Sequence, residues 1–394
     1  MKSRTFLPLP GHKPQTVRVE TGLLAFMRQV GQPGLINLAA GVPAPELLPV
    51  KDLEKAFAAA AKKVGQPMWA YQTPEGHLPL RETIARRLET RGVKLEGKEV
   101  VITSGCTQAL HLSIQCLAGP GDIVACESPC YYNTLEQIAA SGARALPLPT
   151  DPNTGLIFDQ AEKVLKRFRP KVLVVCSSLS NPTGATLPEK DRPRWVALAK
   201  ALKMIIIEDD IYAELCEGAT PPPLRAYDDG STVVYVSSFC KTVSPGLRVG
   251  CMIPGKWFEP MVERKCMADI HGSLVSEATL DAFLNSAAME SHLKRFKRVC
   301  AKKRHLARNA ILECFPSGTT VSDPRGGYML WVELPEKRDL QKISEATLKR
   351  GVSFAKGDVF SCSHAQVSGM RINCARVTEK ELVEGLKVIG KQME

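Results

Sequence analysis

Val233-Val234-Tyr235-Val236-Ser237-Ser238-Phe239-Cys240-Lys241-Thr242-Val243-Ser244-Pro245-Gly246-Leu247-Arg248-Val249-Gly250 is the stretch on which the reading of this chain turns. Its β-branched start predicts a strand, and the Ser, Lys, Pro and Gly that follow predict a turn at the strand's end. A lysine held there and partly desolvated can lose its proton and attack a carbonyl carbon. Ser238 and Arg248 add a hydroxyl and a guanidinium, which suit a phosphate dianion. By itself Lys241 reads first as a surface lysine in a basic loop, so the rest of the chain has to reverse that reading.

Outward from it, short apolar runs alternate with helical patterns. Glu99 to Thr103, Asp122 to Cys126, Lys171 to Val175, Met204 to Ile207 and Val233 to Val236 read as strands. Asp52 to Val64, Leu80 to Thr90, Gln108 to Leu117, Glu136 to Ala140 and Arg192 to Leu202 read as helices. Strands separated by helices predict a mostly parallel sheet covered on both faces. Such sheets bind ligands beyond the carboxyl ends of their strands, where every motif below falls. From about residue 300 the pattern changes to a long helix ending near Cys314, a strand in 328–332, a helix over 340–350, a short strand and a last helix over 379–391. The expected units are an N-terminal arm that includes part of a small domain (1–50), a large domain (51–295) and a small α+β domain (296–394). The arm is Pro- and Gly-rich around one amphipathic segment, Leu23 to Val30, and is expected to pack on something else.

Bulk properties narrow the class. A chain of 394 residues with 44% apolar content can bury a large core and suits about two domains. It has no apolar run long enough for a membrane span and no secretory signal pattern. The 13 cysteines are odd in number and lack metal-type spacing, which fits reduced thiols in a cytoplasmic protein. A formal charge of +11 raises nucleic acid as a partner. The densest basic run, Lys294 to Arg308, however, alternates with Leu293, Phe296, Val299 and Leu306 as one face of a helix does, so no nucleic acid is expected.

Five further motifs converge. In Thr103-Ser104-Gly105-Cys106-Thr107-Gln108 a strand gives way to a helix start, whose free N–H groups and dipole favour an anion. Asn181 in Asn-Pro-Thr-Gly can donate to a phenolic oxygen, or can simply open a turn. Glu208-Asp209-Asp210 ends another strand; a carboxylate there can keep a pyridine nitrogen protonated, and a metal site is the rival, without a histidine to complete it. Tyr131 can stack on a flat heteroaromatic ring. Arg371, in Gly369-Met370-Arg371-Ile372-Asn373, can bind a carboxylate through two parallel hydrogen bonds. An amine, an anion site, a carboxylate for a ring nitrogen and an aromatic face together suit pyridoxal 5'-phosphate (PLP).

In the order and spacing of NPTG, SFCK followed by PGLR, and the late MRIN arginine, the chain resembles the fold type I PLP-dependent aminotransferases of class I/II across nearly its whole length. The branch it is most similar to holds 2-aminoadipate and kynurenine aminotransferases and the PLP domains of MocR-type regulators. The resemblance implies an α/β fold with a mostly parallel, seven-stranded-type sheet in the large domain. It implies that Lys241 forms the Schiff base and shuttles a proton, and that Asp209 pairs with the pyridine nitrogen. Asn181 and Tyr212 would hydrogen-bond the ring oxygen, and Tyr131 would stack on the ring. Gly105, Cys106, Thr107, Ser238 and Arg248 would hold the phosphate. Arg371, with Asn181 and the open backbone at Gly41, would take the substrate carboxylate. Tyr71 would reach the phosphate of a neighbouring subunit, which implies a homodimer.

The chain departs from the family pattern at Ser177, where proline is common, at Cys106 and Cys240, where small hydroxyl residues are usual, at Glu277, where glutamine is common, and at Lys356, where proline is. Around Asp269-Ile270-His271 it is unlike the dicarboxylate-specific enzymes. The expected activity is amino-group transfer between an α-amino acid and a 2-oxo acid. The same apparatus supports elimination, replacement, carbon–carbon bond formation or oxidation of an amino acid. A PLP-binding regulator module is the third reading; the arm of about 50 residues is short for the winged-helix domain it would need.

Overall fold

The computed structural model describes residues 13–17, 24, 27–28, 32–362 and 368–394. Most of the amphipathic segment Leu23 to Val30 lies outside them. The strands of the main sheet are β2 (Val101–Thr103), β3 (Ile123–Ser128), β4 (Arg144–Asp151), β5 (Gly155–Leu156), β6 (Val172–Cys176), β7 (Ile205–Asp209), β8 (Val233–Ser238) and β9 (Gly250–Ile253), after a short β1 (Ile36–Asn37) that belongs elsewhere. Their order is β2-β9-β8-β7-β6-β3-β4-β5. Strands β8, β7, β6, β3 and β4 pair in parallel, β9 is antiparallel to both its neighbours, and β5 is a two-residue hairpin partner of β4. The frame is therefore seven strands with β5 as a short edge addition.

Strands β4, β5 and β9 are additions to the five strands expected from the apolar runs. Pro147 and Pro149 blur the signature of β4, and an outer strand tolerates them because half of its N–H groups need no ladder partner. That outer side is open near Ala145, and Gln15 fills it with a pair of backbone hydrogen bonds of 2.8 and 2.9 Å. This part of the arm, expected to pack on something else, thus packs on its own chain.

Helices α1 (Val50–Val64), α2 (Leu78–Glu89), α3 (Gly105–Leu117), α4 (Tyr132–Ala140), α5 (Phe158–Phe168), α6 (Arg192–Leu202), α7 (Phe258–Asp269) and α8 (Leu274–Leu284) accompany the sheet. Helix α3 packs between one face and α7 through Ala109, Leu110 and Met261, while Leu165, Trp195 and Ala199 of α5 and α6 cover the other face. The strands between them are buried on both sides, which accounts for their near-continuous apolar runs.

The long α9 (Ala287–Cys314) leaves this layer and enters a second core. There β10 (Thr320–Val321), β11 (Met329–Glu333), β13 (Ala355–Lys356) and β14 (Gly369–Asn373) form an antiparallel sheet, and β12 (Val352–Ser353) pairs with β1. Helices α10 (Leu340–Leu348) and α11 (Glu379–Lys391) close it, burying Leu330, Ile372, Leu382, Leu386 and Leu38. Among the described residues no helix is long and apolar enough to cross a membrane.

Candidate active site

The direction of chain progression reverses at β3 and β6: β4 follows β3 outward on one side, and β7 and β8 follow β6 on the other. Beyond the carboxyl ends at such a reversal a parallel sheet leaves a crevice. The cavity there has about 990 Å3 of empty space, its open mouth included. Gly41, Cys106, Thr107, Tyr131, Asn181, Asp209, Tyr212, Ser238, Lys241 and Arg248 all line it. Three expected site residues do not. Gly105 is buried at the start of α3, Arg371 stands behind Gly41 and Asn181, and Tyr71 is 82% exposed elsewhere on the surface.

At one end lies the anion-type corner. Strand β2 stops at Thr103 and α3 starts at Gly105, whose φ of +74° allows the abrupt change of direction. Gln108 Oε1 accepts from the Ser104 N–H at 2.7 Å, and Arg248 Nη2 donates to the Ser104 carbonyl at 2.9 Å. The first-turn N–H groups of α3 and the exposed Thr107 side chain remain for a ligand. The Cys106 thiol is turned the other way, 3.6 Å from Asp209 Oδ1. Cys240 Sγ accepts from Arg248 Nη1 at 3.3 Å, and Ser238 Oγ is engaged with Val249 O and the Cys240 N–H at 3.1 and 3.0 Å.

Lys241 Nζ donates to the Gly41 carbonyl at 2.8 Å. Burial lowers its pKa, and the Arg371 and Arg248 guanidiniums act in the same direction against the pull of Cys240 and Asp209. Asp209 ends β7, and its carboxyl is pushed up to about 6, chiefly by burial. Strand alternation sends its two neighbours to the opposite face. Asp210 pairs there with Arg91 at 2.6 Å, and Glu208 accepts from the Leu224 and Arg225 N–H groups at 2.7 and 3.0 Å and from Ser177 Oγ at 2.6 Å. Ser177 thus has a partner on that face. Only Asp209 of the three acids lines the cavity.

Arg371 is fully buried on β14. It donates from Nη1 to Asn181 Oδ1 at 2.7 Å and from Nη2 to the Ala39 carbonyl, with Phe360 packed under the guanidinium. A Cβ at Gly41 would sit 3.5 Å from Nη1, so the bare backbone keeps that approach open. Tyr131 caps α4 and lies against Tyr132, ring centroids 4.7 Å apart. Burial raises the pKa of both Tyr131 and Tyr212 well above the ordinary phenol value. A neutral ring face, two phenols, a carboxyl and an amine around an apolar slot fit a pyridoxal ring, and the α3 corner with Arg248 fits its phosphate.

Glu127, Tyr132, Val42 and Met27 also line the cavity and were not singled out by sequence reasoning. For Tyr132 the signal was present, as a second aromatic beside Tyr131; for Glu127 it was a lone acid at the end of an apolar strand.

The family model for aminotransferase class I and II matches residues 33–389. A 2-aminoadipate transaminase of Thermus thermophilus is 30% identical over 374 residues, 94% of this chain and 92% of that one. The uncharacterized HTH-type transcriptional regulator YdcR of Escherichia coli is 30% identical over 387 residues, 98% of this chain and 83% of that one. The crystal structure of kynurenine aminotransferase from Pyrococcus horikoshii, solved with PMP, superposes with a TM-score of 0.89 at 27% identity and covers 95% of each chain.

Proposed function

Because this chain belongs to the class I and II aminotransferases, we propose that its cavity performs their amino-group transfer with Lys241 as the amine that holds PLP and moves the substrate proton. The observation that carries the assignment is the single cavity joining a buried amine of lowered pKa, a buried carboxyl and an arginine-flanked helix start. PLP, when bound, supplies an electron sink for the charge left at the substrate's α-carbon. Lys241, released from the Gly41 carbonyl, takes the proton from that carbon and returns one nearby, which its lowered pKa permits. Asp209 keeps a proton at the ring nitrogen; facing that cation its own pKa falls, by opposite charge. Asn181 and Tyr212 hold the ring oxygen, and Tyr131 covers the ring face. Thr107, Ser238, Arg248 and the N–H groups of Gly105 and Cys106 hold the phosphate. Arg371 orients the substrate carboxylate once it exchanges its contact with Asn181 for the ligand.

We further infer a homodimer in which Tyr71 serves the neighbouring site. Its support is an exposed apolar patch of Trp69, Tyr71, Met267 and Ile270 beside His271, whose ring meets Tyr71 at 5.2 Å. The division at residues 50 and 295 is supported by the separate cores on either side of α9. A cytoplasmic location is supported by 13 free cysteines. We propose no nucleic-acid partner, because the basic face of α9 has local acidic company such as Glu379 on Lys302.

The test is the visible absorption of the purified protein during titration with a panel of amino acids. Loss of the yellow band, restored by a 2-oxo acid, is the expected result and names the donor. A band change that no 2-oxo acid reverses would assign one of the other PLP reactions. A chain that stays colourless with added PLP would sink the role given to Lys241.

A further inference from the structure

Glu127 lies one residue before the end of β3, lines the cavity and is 4% exposed. Its Oε2 accepts from the Cys176 N–H at 2.9 Å and from the Ser180 hydroxyl at 3.2 Å. Its Oε1 is buried with no hydrogen-bond partner among the described residues. A buried polar atom without a partner is costly, and one kept in a ligand cavity marks a contact that the ligand completes.

The surroundings fix its charge. Burial pushes Glu127 up to about 8, and Asp209 across from it on β7 adds like-charge repulsion. The other titratable groups against it are Cys176 on β6, kept a thiol by burial, and Cys130 before α4, kept a thiol by Cys126 and burial. Below that pH Glu127 is a neutral acid. Since Oε2 takes both donors, the proton belongs on Oε1, which becomes an unpaired O–H donor on a residue that lines the cavity.

We propose that Glu127 is a further coenzyme-binding residue, donating from Oε1 to an acceptor atom on the ring edge of PLP while Oε2 fixes the turn that carries Asn181. This rests on the assignment of the cavity to PLP. The neutral acid adds a donor without adding charge. Its ionised form would lose the donor and place a second anion beside Asp209.

The holoenzyme supplies the test, read as the rate of coenzyme release during dialysis at about pH 6.5 and about pH 9.5, for wild type, E127Q and E127L. Release from wild type is expected to be about tenfold faster at the higher pH, in line with one lost hydrogen bond to a buried group. E127Q donates at both pH values, so its step shrinks to within about threefold, and E127L releases about tenfold faster than wild type even at the lower pH. A wild-type step that persists in E127Q overturns the proposal, as does E127L holding the coenzyme as tightly as wild type. If E127L does not fold, the E127Q comparison decides alone. A wild-type chain that takes up no PLP at all sinks the cavity's assignment itself, a result distinct from either.

Discussion

At the scale of single residues, two groups in the cavity have proton affinities that water would not give them, one lowered and one raised. Lys241 is pressed toward the free amine, and removing it by K241A should lower turnover by on the order of 10^4-fold or more, with an unchanged circular dichroism spectrum. Glu127 is pressed toward the neutral acid, from an ordinary 4.5 to about 8. The folded chain therefore holds this proton where the unfolded chain has lost it. The resulting stability is complete below pH 4.5 and is lost as pH rises through 8. In urea unfolding of the coenzyme-free protein, E127Q should gain on wild type by on the order of 3 kcal/mol between about pH 5 and about pH 9. An equal dependence in both proteins would mean that Glu127 is ionised throughout.

At the scale of elements, the anion corner depends on two chain segments meeting with no side chain between them. A Cβ on Gly250, the first residue of β9, would sit 2.5 Å from the Gly105 carbonyl carbon and 2.8 Å from the Cys106 nitrogen. G250A has to push the start of α3 out of line, at about 1–3 kcal/mol of overpacking. We expect a weaker hold on PLP, measured by dialysis, and a Tm lower by several degrees. The NPTG turn and the SFCK–PGLR segment were legible because their residue types are tied to position. Strand β9 was not: it is four residues long, antiparallel, and begins where the quoted lysine segment ends. Strand β4 was hidden by its prolines, which only its outer position makes tolerable.

At the scale of the whole molecule, Tyr71 stands largely exposed on an apolar patch with Trp69 and Met267, against His271. If it serves the neighbouring subunit, Y71A and K241A chains complement each other. A mixed dimer holds one complete site, with Lys241 from one chain and Tyr71 from the other. Random reassortment should then restore about a quarter of wild-type activity to two inactive proteins. No recovery after co-refolding would show that Tyr71 works within its own chain.

The sequence by itself determined the alternation of strands and helices, the family resemblance and the identities of the residues at the strand ends. Apolar periodicity and turn chemistry act locally, within a few residues of one another, so they can be read along the chain. Only the tertiary structure decided which of three adjacent acids lines the cavity, because that depends on the side of the sheet to which Asp209 points and on Arg91 and Ser177 waiting for its neighbours on the other. Likewise only packing could set Arg371 behind Gly41, turn the Cys106 thiol to Asp209 and bury Glu127 with one oxygen unpaired. Those outcomes join residues far apart in the sequence, and burial, which shifts their proton affinities, exists only once the layers have closed.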